Sequence, residues 1–362
     1  MRPDPADPTS TDFREAVGTR LGAHLDTMAA RLEPVSPILP VLVDVARDLT
    51  AGGKRLRPGF AYWGWIAAAG TDDVPEALLG AVSAFELLHV GVLIHDDVLD
   101  GSDTRHGRPA AHRQFEAWHR AGGGSGDAEA FGRAMAVLLG DQLIVWSGEL
   151  ATTAGLEPDA WHRAAPYWHA VRTEVNSGQV LDVCAQYGVG RDPGASAEQV
   201  ATRVLEEKTS RYTVQRPVQF GAAAGGADEH AIDALGRFGL ALGRAFQLRD
   251  DLLGVFGDET TTGKPAAGDL REGKRTVLVA RALESSPDAA ELQGLLGRAD
   301  LTDPQIDRAR GILVDSGAVE SVEQTITRDY ARALAELDAA RITAPGRQAL
   351  AELARMCVER DA

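Results

Sequence analysis

Leu93-Ile94-His95-Asp96-Asp97-Val98-Leu99-Asp100 closes a run that begins near residue 75 and is otherwise apolar, and the whole reads as a helix over 75–100. Asp96 and Asp100 stand one helical turn apart, so both carboxylates leave the same face. Three acids gathered at a helix C-terminus are electrostatically adverse, because that end already carries partial negative charge. Something positive has to offset them. Hard oxygen ligands on one face, too few for a closed cage, suit Mg²⁺ ions that keep waters and bind phosphate oxygens.

A second stretch repeats the pattern. Phe246-Gln247-Leu248-Arg249-Asp250-Asp251-Leu252-Leu253-Gly254 lies late in another apolar helix, with Asp258 just beyond. Gln247, Asp250 and Asp251 fall at helical spacing, so most of them share a face. One Asp-Asp pair alone reads as a solvated helix end. Two pairs, each embedded in apolar helix, describe two walls of one metal site.

Working outward, the chain reads as helix after helix. Ala, Leu, Arg and Glu dominate, and apolar residues recur at three- and four-residue steps. The alternation that marks hairpins is nearly absent. Helices are expected near 12–32, 38–50, 58–69, 75–100, 129–154, 159–187, 197–224, 229–257, 274–284, 303–315, 318–341 and 345–360. Gly/Pro loops separate them; Ala121–Gly126 could hinge a lid or be an idle linker. With no fixed-period repeat and no shift of composition, residues 12–362 are expected to form a single all-α domain, a helical bundle around an interior cavity, preceded by a flexible 1–11.

The net charge is −16, which disfavours nucleic acid and anionic membranes as non-specific partners. An anionic substrate would need local positive charge. Gly52-Gly53-Lys54-Arg55-Leu56-Arg57-Pro58 supplies it in a glycine-flanked turn before a helix, an arrangement that favours phosphate. Arg105-His106-Gly107-Arg108-Pro109 follows the first acidic cluster; Lys208, Thr209 and Arg211 lie on a separate helix. Gly263-Lys264-Pro265 and Asp269–Thr276, with Lys274 and Arg275, follow the second. Each group is short and turn-flanked, unlike an ordinary solvated charge run. His89 stands two turns before Asp96 on the same face; on geometry alone a core histidine and a functional one are equally open. His95 points elsewhere and reads as structural.

These residues together resemble the trans-prenyl diphosphate synthases. Gly-Gly-Lys-Arg-Leu-Arg-Pro at 52–58, His89, Asp-Asp-x-x-Asp at 96–100 and Arg105 resemble the first half of that family. Lys208-Thr209, Phe246-Gln247-x-x-Asp250-Asp251, Gly263-Lys264-Pro265 and Gly273-Lys274-Arg275-Thr276 resemble the second half, in the same order. The resemblance implies an isoprenoid synthase-type helical bundle around a deep cavity, a homodimer, and condensation of isopentenyl diphosphate with an allylic prenyl diphosphate. By the same resemblance Asp96, Asp100 and Asp250 would hold three Mg²⁺ per active site (Mn²⁺ able to substitute), with Asp97 and Asp251 beside them. Arg105, Lys208, Thr209, Gln247, Lys264 and Lys274 would grip the allylic diphosphate; Lys54, Arg57 and His89 would bind that of isopentenyl diphosphate.

Two departures stand out. His106 occupies a place where the family commonly has a second Arg, implying weaker or more pH-sensitive isopentenyl diphosphate binding. The second acidic motif ends at Gly254, where many relatives have Asp, so metal binding would lean on Asp250, with Asp251 acting through water.

The prenyl tail is expected to run back along 75–100, away from Asp96. Relatives that stop at C15 carry a large aromatic four or five residues before the first Asp. Here those positions are Val92 and Gly91, the next turn offers Leu88, and the first ring is Phe85, about 16 Å back at 1.5 Å per residue. That depth favours a C20 product, with C25 or longer next, and Gly91→Phe is expected to shorten it. A class I terpene cyclase would not need Lys54, Arg57 and His89, and a non-catalytic subunit would not be expected to keep all five aspartates. Cys184 and Cys357, far apart and without metal-type spacing, point to a reduced, cytoplasmic chain, although one disulfide is possible. No secretory signal is recognised at the start, and no run is expected to span a bilayer.

Overall fold

The computed structural model describes residues 4–71, 73–105, 107–190, 193–257 and 267–359, and they are almost entirely helical. The chain packs as two compact units. The first comprises Met1–Ala165, Phe220–Ala227 and Ile342–Leu350; the second comprises Pro166–Gln219, Asp228–Arg341 and Ala351–Ala362.

In the first unit, α1 (Thr11–Leu32), α2 (Pro40–Thr50), α3 (Leu56–Ala69) and α6 (Ala128–Thr153) surround α4 (Glu76–Asp100). α4 is apolar because nearly every face of it is covered: Leu78, Val82, Phe85, Leu87, Leu88 and Ile94 are all buried. Its end is set by Gly101, which takes the left-handed conformation (φ 67°) at the C-cap. Phe85 packs edge-on against Phe220 with ring centroids 5.3 Å apart. A two-residue antiparallel ribbon follows α4, pairing β1 (Thr104–Arg105) with β2 (Arg108–Pro109). α5 (Ala111–Ala121) then packs on α6.

Two sequence expectations need correction in this unit. Residues 4–10 are not a loose arm: Pro8 and Thr9 are buried, and the Pro8 carbonyl accepts a 2.8 Å hydrogen bond from Trp63 Nε1. α4 and α6 are both long and apolar enough to cross a membrane. For α4 the reason is burial, since 72% of its most apolar stretch lies inside the protein. α5 has no counterpart among the expected helices, although Ala111, Phe115 and Trp118 recur along it at four- and three-residue steps; buried Glu116 pairs with Arg113 and Arg120 at 2.6 and 2.5 Å.

α7 (Pro158–Tyr187) changes unit at Pro166. In the second unit, α10 (Glu229–Phe256) is the central helix. It packs against α15 (Ala318–Ala339) and against a wide, π-helical stretch, Glu206–Gln215, that joins α8 (Ala197–Leu205) to α9 (Arg216–Ala224). The sequence reads 197–224 as one uniform helix. The structure instead widens its middle, and the Arg216 N–H reaches back five residues to the Arg211 carbonyl. The cause is close backbone approach. A Cβ at Gly178 of α7 would lie 2.3 Å from Lys208 N, and one at Gly243 of α10 would lie 2.4 Å from Ser210 Cα.

The short helices α11 (Gly268–Glu272), α12 (Val277–Ser285), α13 (Ala289–Leu295) and α14 (Asp303–Asp315) close one apolar cluster with α10 and α15, through Leu252, Val255, Leu270, Leu278, Leu292 and Ile326. α13 is too short to show a period and is absent from the expected set. α16 (Ala344–Val358) ends the described chain. Gly243→Ala should lower stability by about 1–3 kcal/mol, because the methyl has no room against the π-helical backbone. The denaturation midpoint of the variant measures it, and an unchanged midpoint would refute this account of the wide turn.

Candidate active site

The first unit presents one set of sequence-predicted residues. Asp96 and Asp97 are buried and Asp100 is half-buried at the end of α4. β1 turns Arg105 back over them: its Nε donates to Asp97 Oδ1 at 2.9 Å, its Nη2 donates to the same oxygen, and Asp96 Oδ2 is 3.6 Å away. Asp97 thus positions Arg105 beside the Asp96 carboxylate. His89 is half-buried two turns before Asp96. His95 leaves the site, as expected, with Nε2 3.1 Å from the Val137 carbonyl and 3.3 Å from Asp141 Oδ1 on α6. His106 lies outside the described residues.

The basic turn separates its cations. Lys54 is exposed and Arg57 is half-buried, whereas Arg55 is almost wholly buried. Arg55 adopts a left-handed φ of 55°, donates to Glu86 Oε1 of α4 at 2.6 Å and to the Thr50 carbonyl at 2.5 Å. Its charge is spent on tying the turn to α4. Lys54 lies just before this cap and Arg57 in the first turn of α3.

The chain-length positions divide as well. Val92 is half-buried, one turn before Asp96, and Leu88 and Phe85 are buried. Gly91 faces the other way: a Cβ there would meet the Gly140 carbonyl at 3.0 Å and Leu143 Cβ at 3.2 Å. Gly91 is therefore a helix-packing glycine between α4 and α6, and an aromatic there would pry the helices apart rather than trim a tail pocket. That corrects the sequence expectation. The missed signal is angular, since a residue five positions from Asp96 sits nearly opposite it on a helix.

The second unit holds the other set. Lys208 and Thr209 ride on the π-helical stretch, and Lys208 Nζ lies 2.5 Å from Asp182 Oδ2 of α7. Sequence reasoning missed Asp182; its signal was an acid four residues after Gly178, the glycine that admits Lys208. On α10, Asp250 is half-buried and Asp251 is buried, and Gln247 Nε2 donates to Asp251 Oδ1 at 2.8 Å. Burial, the Asp269 charge and the Asp250 charge push the Asp251 carboxyl up to about 8, against the Gln247 hydrogen bond and Lys274. Lys274 Nζ lies 2.8 Å from Glu272 Oε2 and 3.6 Å from Asp269 Oδ1. Lys264 lies outside the described residues.

Among the described residues no three acidic, His or Cys groups converge to enclose an ion. The donors are carboxylates in open pairs with Lys and Arg alongside, which fits Mg²⁺ that completes its shell with water and phosphate oxygen.

Residues 40–313 match the family model described as Polyprenyl synthetase. The chain belongs to the polyprenyl synthetase family. It is 30% identical over 333 residues to the short chain isoprenyl diphosphate synthase of Methanothermobacter thermautotrophicus, covering 91% of this chain and 94% of that one. It is also 30% identical over 318 residues to the nonaprenyl diphosphate synthase of Mycobacterium tuberculosis, covering 86% and 84%. The crystal structure of geranylgeranyl pyrophosphate synthase from Corynebacterium glutamicum, complexed with isoprenyl diphosphate and magnesium, superposes with a TM-score of 0.91 at 38% identity, covering 96% of this chain and 99% of that one. These polyprenyl synthetases make this chain a prenyltransferase with the all-α fold anticipated from its sequence.

The Arg55–Glu86 pair anchors the basic turn to α4. Both side chains are at most 9% exposed. Glu86→Ala strands a buried guanidinium and should cost about 3–5 kcal/mol. Urea unfolding checks this, and a loss below about 1 kcal/mol, the upper range for exposed pairs, would mean the pair is solvated.

Proposed function

We propose that this polyprenyl synthetase condenses isopentenyl diphosphate with an allylic diphosphate of five, ten or fifteen carbons, giving a trans-prenyl diphosphate. The reading is carried by one observation: each unit ends an apolar helix in paired aspartates with a cation nearby, Arg105 at Asp96 and Asp97, Lys274 at Asp269 next to Asp251. In this reading residues 12–362 act as one catalytic domain.

Asp96, Asp100 and Asp250 would hold three Mg²⁺, with Mn²⁺ able to substitute. When bound, the metal supplies electrostatic stabilisation of the departing diphosphate. Arg105, Lys208, Thr209, Gln247 and Lys274 bind its oxygens, with Lys264 joining them, so that positive charge waits where negative charge develops. Asp182 holds Lys208 in place. Lys54, Arg57 and His89, with His106, bind the second diphosphate, and this second anion site favours chain elongation over cyclisation. The alkene attacks the allylic cation, one proton is lost, and the released diphosphate takes it. The apolar residues of α4 that line the tail exclude water, which would quench the cation to an alcohol.

We favour a C20 product, as for the geranylgeranyl synthase it resembles, over C25 or longer. Val92 shares the Asp96 face and has no ring, leaving Phe85 as the first aromatic on that side. The decisive assay incubates purified protein and Mg²⁺ with isopentenyl diphosphate and C5, C10 or C15 starters and sizes the products. Asp96→Asn and Asp250→Asn should each lower turnover by about 10²–10³-fold. Val92→Phe should shorten the main product. Full turnover in both Asn variants would end the proposal, and an unaltered product from Val92→Phe would remove the tail from this face.

We also propose a homodimer in the cytoplasm. Leu138 and Val145, seven residues apart on one face of α6, are 59% and 62% exposed, and both cysteines are free. Leu138→Asp with Val145→Asp should convert a sedimenting dimer to monomer; a wild-type monomer would refute it.

A further inference from the structure

The second unit holds a cavity that none of the candidate catalytic residues lines. It lies between α8, α10, α12 and α15, has a volume of about 330 Å³, and is bordered on its apolar part by Leu205, Leu248 and Val277. The rest of its lining is dominated by Arg244, Arg281, Arg328 and Arg332. Four guanidiniums around one small cavity are unexpected in a chain of net charge −16. We propose that this cavity binds a phosphoryl anion, at a site that shares no residue with the diphosphate-binding set described above.

The acids nearby do not balance the arginines. Arg244 donates to Asp329 Oδ2 at 2.9 Å and to Glu206 Oε1 at 3.0 Å. Arg281 donates to Glu198 Oε1 at 2.8 Å and to Thr325 Oγ1 at 3.0 Å. Those three carboxylates are therefore already engaged. Arg328 comes no closer than 3.7 Å to Asp329 Oδ1, an oxygen that also accepts from Arg244 at 3.3 Å. Arg332, one turn beyond Arg328 on α15, makes no ion pair among the described residues. An anion in the cavity would offset this surplus where the four side chains meet.

The site has a fixed part and an open part. Arg244 and Arg281 are only 20% and 17% exposed, and Arg281 also donates to Ser321 Oγ at 3.1 Å, so their planes are held. Arg328 is 70% exposed, and Arg332 is exposed four residues later on the same face of α15. A guanidinium presents parallel N–H donors that match two oxygens of a phosphoryl group, and a dianion offsets more of the surplus than a single carboxylate does. The Thr202 side chain adds a hydroxyl to the lining. Leu205, Leu248 and Val277 leave an apolar side for the carbon portion of a small phosphate ester. The cavity also adjoins the stretch that carries Lys208, since Glu206, held by Arg244, lies two residues before it.

The inference stands on these arginines and does not depend on the condensation proposed above. Its test is thermal unfolding in Mg²⁺-free buffer against inorganic phosphate, with chloride holding the ionic strength constant. Wild type should gain melting temperature as phosphate rises. Arg328→Gln/Arg332→Gln should need about tenfold more phosphate for the same gain, the loss of roughly one charge-assisted contact, with the phosphate-free melting temperature unchanged. Arg328→Lys/Arg332→Lys keeps the charge without the planar fork and should recover part of that loss. Lys54→Gln/Arg57→Gln, in the other unit, should leave the phosphate midpoint in place. Glycerol 3-phosphate titrated alongside separates the sources: a lower midpoint than inorganic phosphate assigns the cavity to a phosphate ester, an equal one to phosphate itself. A wild type that phosphate does not stabilise beyond chloride overturns the inference. So does a response that survives intact in Arg328→Gln/Arg332→Gln, or one that disappears in Lys54→Gln/Arg57→Gln, because the anion would then be held elsewhere.

Discussion

Carboxylates at the C-terminal ends of two apolar helices are the constraint around which this protein is organised. Each helix end carries partial negative charge of its own, and Asp96, Asp97, Asp250 and Asp251 add to it where water is scarce. Such an arrangement persists only if cations are recruited. The chain, acidic overall, places its Arg and Lys residues accordingly: Arg105 returns on a two-residue ribbon, and Lys274 arrives at the end of a five-residue helix. In the second unit burial, ahead of the Asp269 and Asp250 charges, raises the Asp251 carboxyl.

The scaffold positions these groups through shape as much as charge. Small residues bring backbones together where functional side chains must be offered. Gly178 and Gly243 clasp the stretch bearing Lys208, and Gly91 lets α4 lie against α6. Buried pairs then lock orientation, as when Glu86 takes Arg55 and leaves Lys54 and Arg57 to the turn. The result separates two kinds of cation in one motif, a buried one that holds the fold and two that are less buried.

Much of this was legible in the chain. Three- to four-residue periodicity identified most of the helices, and acid pairs closing apolar runs with basic turns after them pointed to the residues proposed to carry the chemistry. Features that depend on neighbours distant in sequence escaped. Gly91 looked like pocket wall because its number is near Asp96, but its direction is set by α6. The π-helical stretch has the composition of an ordinary helix, and only the glycines on α7 and α10 that press on it mark the difference. α13 is too short to print a period, whereas α5, with Ala111, Phe115 and Trp118 at helical steps, carries one that the reading passed over.

The wide turn between α8 and α9 also keeps count. A π turn accommodates one more residue than an α turn of the same span. Removing a single residue from 206–215 would let the segment relax into a straight α-helix and remain well paired along its backbone. Everything upstream of the deletion would then swing by about 100° relative to the downstream helix, the rotation of one residue in a 3.6-residue turn. A deletion at 206 or 207, between the two, would turn Lys208 away from Asp182 although neither side chain had been altered. Length, here, is as much a part of the catalytic design as chemical identity.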